Sequence, residues 1–174
     1  MLGIVSDVNN FYDLILKEKE KAKKDAFTGC YHKNAFKELC ERILDKKPRP
    51  TFAFLMLDLD GFKAINDQYG HAEGDKVLLD TVRQIRQFFP KQSLIGRFGG
   101  DEFLVLCPYY QKNSLMALLD AFLKNEDSLY SVTKSIGCLL VSDEDENFEE
   151  MLKKVDQALY EAKRKKNCAV CYPE

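Results

Sequence analysis

Arg97-Phe98-Gly99-Gly100-Asp101-Glu102-Phe103 is the stretch on which the reading of this chain turns. Apolar Leu94 and Ile95 precede it, and Phe103-Leu104-Val105-Leu106 continues it. Two short apolar runs joined by Gly-Gly read as a β-hairpin, with glycine supplying the positive φ of a tight turn. Asp101 and Glu102 then stand at the end of a sheet. A bare acidic turn is ordinarily a solvated one. A second acidic strand end changes that reading. Phe52-Ala53-Phe54-Leu55-Met56-Leu57 is a continuous apolar run, the pattern of a strand covered on both faces, and it ends in Asp58-Leu59-Asp60-Gly61. Charge beside a core is costly unless it binds something. Asp58 and Asp60 share a strand face if the strand runs that far.

The chain has 174 residues, 45% of them hydrophobic, enough for one domain with a real core and against disorder. A formal net charge of −2 offers no general attraction to nucleic acid or to an anionic membrane. No apolar stretch is long enough to span a bilayer, and no export signal is read before the first helix, so the expected location is cytoplasmic. The 6 cysteines then read as reduced core residues. Cys168 and Cys171 have CxxC spacing in an apolar C-terminal run. On a strand, residues i and i+3 point to opposite faces, which argues against a metal or redox pair there.

Ser6 to Lys24 reads as a helix with Val8, Phe11, Leu14 and Ile15 in a stripe and a Lys/Glu-rich end. It is either a linker from a larger protein or a small dimerising helix. Asn34 is a fair N-cap for a helix from Ala35 to about Leu44. Helices follow over Phe62 to Gln68 and over Lys76 to Phe89, the second opened by Glu73-Gly74-Asp75 and stopped by Pro90. In the second, Val77, Leu78, Val82, Ile85 and Phe89 point inward, and Arg83, Gln84, Arg86 and Gln87 outward. After the hairpin come a helix over about Asn113 to Lys124 and one or two strands over Leu129 to Val141. Gly137 marks a bulge or a close approach in that stretch. Asp143-Glu144-Asp145-Glu146 is a solvated loop. Phe148 to Lys166 is the last helix. Its basic end, Lys163-Arg164-Lys165-Lys166, suits the helix dipole and equally a polyphosphate clamp. The order of elements predicts an α+β fold, a sheet with helices packed on it.

The hairpin Gly99-Gly100-Asp101-Glu102-Phe103 resembles the signature loop of GGDEF-type diguanylate cyclases. The resemblance extends to Asp25-Ala26-Phe27-Thr28-Gly29, to the long motif from Asp58 through Asp75, to Ser135-Ile136-Gly137, and to Asp156-Gln157-Ala158-Leu159-Tyr160-Glu161-Ala162-Lys163. Several motifs in order at one spacing are specific where a single one is weak. The resemblance implies a palm or nucleotide-cyclase-like fold: a central, mostly antiparallel sheet with a ferredoxin-like core flanked by helices. It divides the chain into an N-terminal helical extension, residues 1–24, and a catalytic domain, residues 25–174. It also implies a reaction, the condensation of two GTP to cyclic di-GMP with release of two pyrophosphates. Two copies would meet about a two-fold axis, driven by an upstream sensor.

The implied cofactor is Mg²⁺, with Mn²⁺ as the alternative, held by Asp58, Asp101 and the backbone carbonyl of Leu59. By the family pattern Asp101 is the better base, and Glu102 is a weaker candidate, as a ligand or as an aid to deprotonation. The amides after Gly61, at Phe62 and Lys63, would cradle phosphate, and the Lys63 ammonium would meet developing charge; its plain alternative is a solvated helix lysine. Asn66 and Asp75 match the guanine-reading positions. His71 matches another substrate-side position and serves equally well as a histidine closing a helix. Lys163 matches the triphosphate lysine. Arg97 and Asp25 are expected to pair.

Three departures stand out. Pro90-Lys91-Gln92-Ser93 replaces the usual Arg-x-x-Asp inhibitory site. Lys165-Lys166-Asn167 is one residue short of the usual Gly-Arg-Asn. Lys134 replaces an apolar strand residue. Two other readings stay open: a GTP-binding regulatory module without turnover, and a palm-fold nucleotidyl transferase acting on nucleic acid. The lack of a basic face counts against the second.

Overall fold

The computed structural model of the chain describes residues 24–46, 50–125, 127–142 and 147–173. The expected helix from Ser6 to Lys24, the boundary near residue 24 and the acidic run 143–146 lie wholly or mostly outside these residues. The strands are β1 (Tyr31–His32), β2 (Thr51–Leu59), β3 (Leu94–Arg97), β4 (Glu102–Tyr109), β5 (Lys134–Leu140) and β6 (Ala169–Cys171). The helices are α1 (Lys33–Leu44), α2 (Phe62–Tyr69), α3 (His71–Phe88), α4 (Lys112–Leu123) and α5 (Phe148–Lys165), with a 3₁₀ turn at Leu129–Ser131. The strands form one sheet in the order β1-β3-β4-β2-β5-β6. Its inner pairings, β3/β4, β4/β2 and β2/β5, are antiparallel, and the edge pairings β1/β3 and β5/β6 are parallel. The inner four strands with α2–α3 and α4 as crossovers make the expected ferredoxin-like core. Both edges are very short strands, which limits edge-to-edge pairing.

β2 explains the layering. Its even positions Phe52, Phe54 and Met56 enter one core with α1 and α5, including Phe36, Leu39, Phe148, Met151, Val155 and Leu159. Its odd positions Ala53, Leu55, Leu57 and Leu59 enter a second core with Val77, Val82 and Ile85 of α3 and Leu115, Leu119 and Phe122 of α4. Alternation across a pleated strand makes this division unavoidable once both faces are covered. Phe36, Phe54 and Phe148 lock the first core with tilted and edge-on ring contacts of 5.6 to 6.2 Å. Gly137 is a close approach and not a bulge: a β-carbon there would stand 2.2 Å from the Val155 carbonyl oxygen, so its absence lets α5 lie directly on β5.

Several local expectations are corrected. α1 begins at Lys33 with His32 as its N-cap, and Asn34 lies inside the helix. α3 begins at His71, five residues before Lys76, because Gly70 at φ 89° lets the chain reverse straight out of α2. Gln84 is fully buried, and its amide donates to Asp80 Oδ2 at 2.7 Å and to the Asp127 carbonyl at 3.1 Å. Its amide nitrogen is thus paired inside the fold, while its Oε1 is buried without a hydrogen-bond partner. Residues 129–141 contain a single strand. Among the described residues no helix is long and apolar enough to cross a membrane.

Candidate active site

The hairpin forms, but for a different reason from the one its glycines suggest. Neither Gly99 nor Gly100 has positive φ. Gly99 leaves room for the Glu102 carboxylate, since a β-carbon there would stand 2.6 Å from Glu102 Oε2. The turn is braced from outside. Arg97 Nη2 donates to the Gly100 carbonyl at 2.8 Å, and Arg97 Nη1 reaches Asp25 Oδ1 at 3.5 Å, the pairing expected from sequence. Asp25 also accepts from the Thr28 amide at 2.8 Å. Burial opposes its charge, but the Thr28 bonds and Arg97 outweigh burial and hold the carboxyl below its ordinary value.

Asp58 and Glu102 stand directly opposite each other on β2 and β4. Both lie on the sheet face that α5 covers, because they continue the parity of Met56 and Leu104. From α5, Lys163 Nζ contacts Asp58 Oδ2 at 2.8 Å. Burial pushes the Asp58 carboxyl up, Lys163 draws it back, and Asp101 and Asp60 push it up again. Burial also raises Glu102, with the Asp58 charge next, while Lys163 lowers it and Asp101 and Asp156 add to the rise. For Lys163, burial disfavours the charge, but the bond to Asp58 outweighs it and the pKa rises, with Glu102 and Asp101 contributing. Asp58, Asp101, Glu102 and Lys163 are therefore one electrostatic unit, with more negative than positive charge.

That excess is the test of whether the residues suit a divalent cation, and they do. The donors are hard oxygens, and the like charges at facing register positions are mutually destabilised, which a bound cation relieves. Among the described residues no three His, Cys, Asp or Glu side chains close on one point as a cage. Mg²⁺ is the cation that works with one or two carboxylates and completes its shell with water and phosphate. Leu59 is the last residue of β2 and pairs with Lys134.

Asp60 is not part of this unit in the way its position suggests. β2 ends at Leu59, and the Asp60 carboxylate accepts from Thr133 Oγ1 at 2.8 Å, Ser135 Oγ at 2.7 Å and the Asn167 amide at 3.1 Å. The acid binds its own chain, and in doing so ties the turn after α5 to the end of β2. Sequence reading found Ser135 as a motif residue and Asn167 as a remnant, without this role for either.

The remaining candidates lie on α2 and α3. Gly61, at φ 76°, caps α2 and sets Phe62 and Lys63 in its first turn. A β-carbon on Gly74 would stand 1.9 Å from Asn66 Oδ1 and 3.3 Å from Phe62 Cζ, so Gly74 is what lets α3 close on α2. Asn66 is thereby held one residue away from Asp75. His71, Asp75 and Lys63 are exposed, and Asn66 and Phe62 half-buried.

The arrangement is a ferredoxin-like sheet whose facing strand ends carry paired acids, with a lysine laid over them from a helix. The chain belongs to the GGDEF family: residues 22–168 match the family described as "Diguanylate cyclase, GGDEF domain". Among its relatives, diguanylate cyclase DgcM of Escherichia coli K12 is 32% identical over 170 residues, spanning 94% of this chain and 41% of that protein. The uncharacterized protein YhcK of Bacillus subtilis is 32% identical over 99% of this chain and 52% of its own length. The chain thus spans about half or less of these relatives. The solved GGDEF domain of PA1120 (TpbB or YfiN) from Pseudomonas aeruginosa superimposes with a TM-score of 0.77 at 28% identity, covering 87% of this chain and 95% of that one.

Proposed function

We propose that this chain is a diguanylate cyclase domain that condenses two GTP into cyclic di-GMP and releases two pyrophosphates. The observation that carries the reading is the facing pair Asp58 and Glu102 with Lys163 laid across it, beside Asp101. Mg²⁺, or Mn²⁺ in its place, would be held by Asp58, Asp101 and the Leu59 carbonyl, and would supply charge neutralisation at the α-phosphate and an acidified 3′-hydroxyl. Asp101 takes the hydroxyl proton, and Glu102 supports it. The Phe62 and Lys63 amides at the start of α2 receive phosphate oxygens, with the Lys63 ammonium meeting charge that builds on them. Lys163, which contacts Asp58 at 2.8 Å, would serve the triphosphate, and a bound cation would supply the neutralisation that Lys163 gives that carboxylate here. Asn66 and Asp75 read the guanine edge, and His71 lies on the substrate side of α3. Each protomer holds one GTP, and a second copy of the chain presents the attacking hydroxyl, so proximity in the dimer is the main catalytic resource. An upstream sensor would set how often the two copies meet.

The decisive assay incubates purified protein with GTP and Mg²⁺ and follows pyrophosphate and cyclic di-GMP. Asp58→Asn is expected to abolish product and to remove the effect of Mg²⁺ on GTP affinity. It should change folding stability by no more than about 1 kcal/mol, since its lysine partner is partly exposed. Product from the variant at the parent rate would refute the assignment. Because Ser93 is buried and Pro90 stands where the inhibitory arginine would be, added cyclic di-GMP is not expected to slow the reaction through that site. Progress curves that bend with accumulating product would contradict this.

One observation favours a second reading, a module that binds GTP without turning it over. The shortened end of α5 is strained: Lys166 has φ 59° and Asn167 has φ 45°. If that end cannot deliver a second phosphate cation, binding persists without product, and the same assay separates the two.

A further inference from the structure

The chain's CxxC pair is not its redox-competent pair. Cys168 and Cys171 lie on opposite sides of the sheet: Cys168 Sγ contacts the Ala162 carbonyl of α5 at 3.5 Å, while Cys171 Sγ contacts Met116 Sδ of α4 at 3.8 Å. The sheet supplies Cys171 with a different neighbour. β5 and β6 are parallel, and their register sets Cys138 directly beside Cys171. Both side chains face the α4 side, Cys138 within that core and Cys171 packed against its margin. Register neighbours on adjacent strands stand about 4.8 Å apart, inside the Cα separation of about 4.4–6.8 Å that a disulfide accepts. Backbone bonds fix the juxtaposition on both flanks: the Ile136 amide donates to the Cys168 carbonyl at 2.9 Å, and the Tyr172 amide to the Cys138 carbonyl at 2.7 Å.

We propose that Cys138 and Cys171 form an oxidative modification site that closes to a cross-strand disulfide when the chain meets a low-molecular-weight disulfide. The two cysteines divide the work. Cys171 is partly exposed and Cys138 fully buried. The hydrogen bond to Cys171, then burial, keeps the proton on the Cys138 thiol. Cys171, the more exposed of the two, is therefore the thiol that attacks first. Its thiolate displaces one thiolate from the small disulfide and forms a mixed disulfide. Cys138 then loses its proton and attacks Cys171 Sγ, releasing the second small thiolate. Two protein thiols and one small disulfide become one protein disulfide and two small thiols, so hydrogen and electrons balance. The bridge joins the three-residue edge strand β6 to β5, and the loop it closes contains α5, which carries Lys163, and the turn at Asn167 that bonds Asp60. Closure fixes the C-terminal edge of the sheet to its centre. None of this depends on the nucleotide reading.

The test treats the folded chain with oxidised glutathione under native conditions. The mass is expected to fall by about 2 Da, the two hydrogens lost on bridging. A peptide map should join Cys138 to Cys171, dithiothreitol should reverse the change, and the melting temperature should rise on oxidation. Cys168→Ser should leave the bridge intact, and Cys171→Ser, at the more exposed position, should abolish it. A Cys168–Cys171 bridge, or a lasting glutathione adduct on Cys171 with Cys138 still free, would overturn the proposal.

Discussion

A single missing β-carbon shapes the acidic turn. At Gly99 that atom would meet only the far end of the Glu102 side chain, at 2.6 Å, and no backbone. Gly99→Ala should therefore fold and displace the carboxylate. We expect the urea midpoint to stay within error while the cyclic di-GMP formation proposed above falls about tenfold or more. An alanine variant with unchanged turnover would show that Glu102 needs no fixed position. Gly99 was legible as a turn glycine in the sequence, but its reason was not. Positive φ and lack of room leave the same letter in a sequence, and only the neighbour's coordinates tell them apart. Lys163 shows the same limit. Its motif gave its identity, while the 2.8 Å contact with Asp58 depends on a helix whose resting place no local pattern states.

At the scale of the element, α5 and the turn after it carry most of what is particular to this chain. Asn147 caps α5 by accepting from the Glu150 amide at 2.9 Å, and acidic residues in the first turn and basic ones in the last suit the dipole. The helix ends badly. Lys166 combines φ 59° with ψ 157°, a region open to glycine and costly to any other residue, at about 1–3 kcal/mol. The anchor that holds it is Asp60, through the Asn167 amide. Lys166→Gly should stabilise the fold by about 1 kcal/mol, a rise in melting temperature of about 3 °C for a chain of this size. A lowered melting temperature would mean that the Lys166 side chain contributes more than its backbone costs. The sequence showed a shortened loop here; that the shortening is absorbed as strain at one residue appears only in the backbone.

Across the whole molecule, two apolar cores on opposite faces of one sheet hold the site, and the opening turn at residues 25–28 is joined to the hairpin by Arg97. That junction has a pH signature. The folded-state pKa of Asp25 is lowered from 3.8, so its contribution is complete above that value and is lost as the pH falls through the lowered one. Asp25→Asn removes the contribution. Its urea midpoint should lie below the parent's at neutral pH, and the two should converge in acid below about pH 4. Parallel curves over the whole range would show that the carboxylate titrates alike folded and unfolded.

The ordered motifs determined the family, because they are written in consecutive residues, and the ferredoxin-like core followed from that resemblance; the apolar periodicities determined a sheet with helices packed on it. What they left open is which acids meet. β2 is apolar on both faces, so its sequence carries no parity signal and does not say which core Asp58 joins. The pairing of Asp58 with Glu102, the approach of Lys163 and the neighbourhood of Cys138 and Cys171 are matters of register and helix placement. Those are fixed by pairing and packing between segments far apart in the chain, and so only the tertiary structure could decide them.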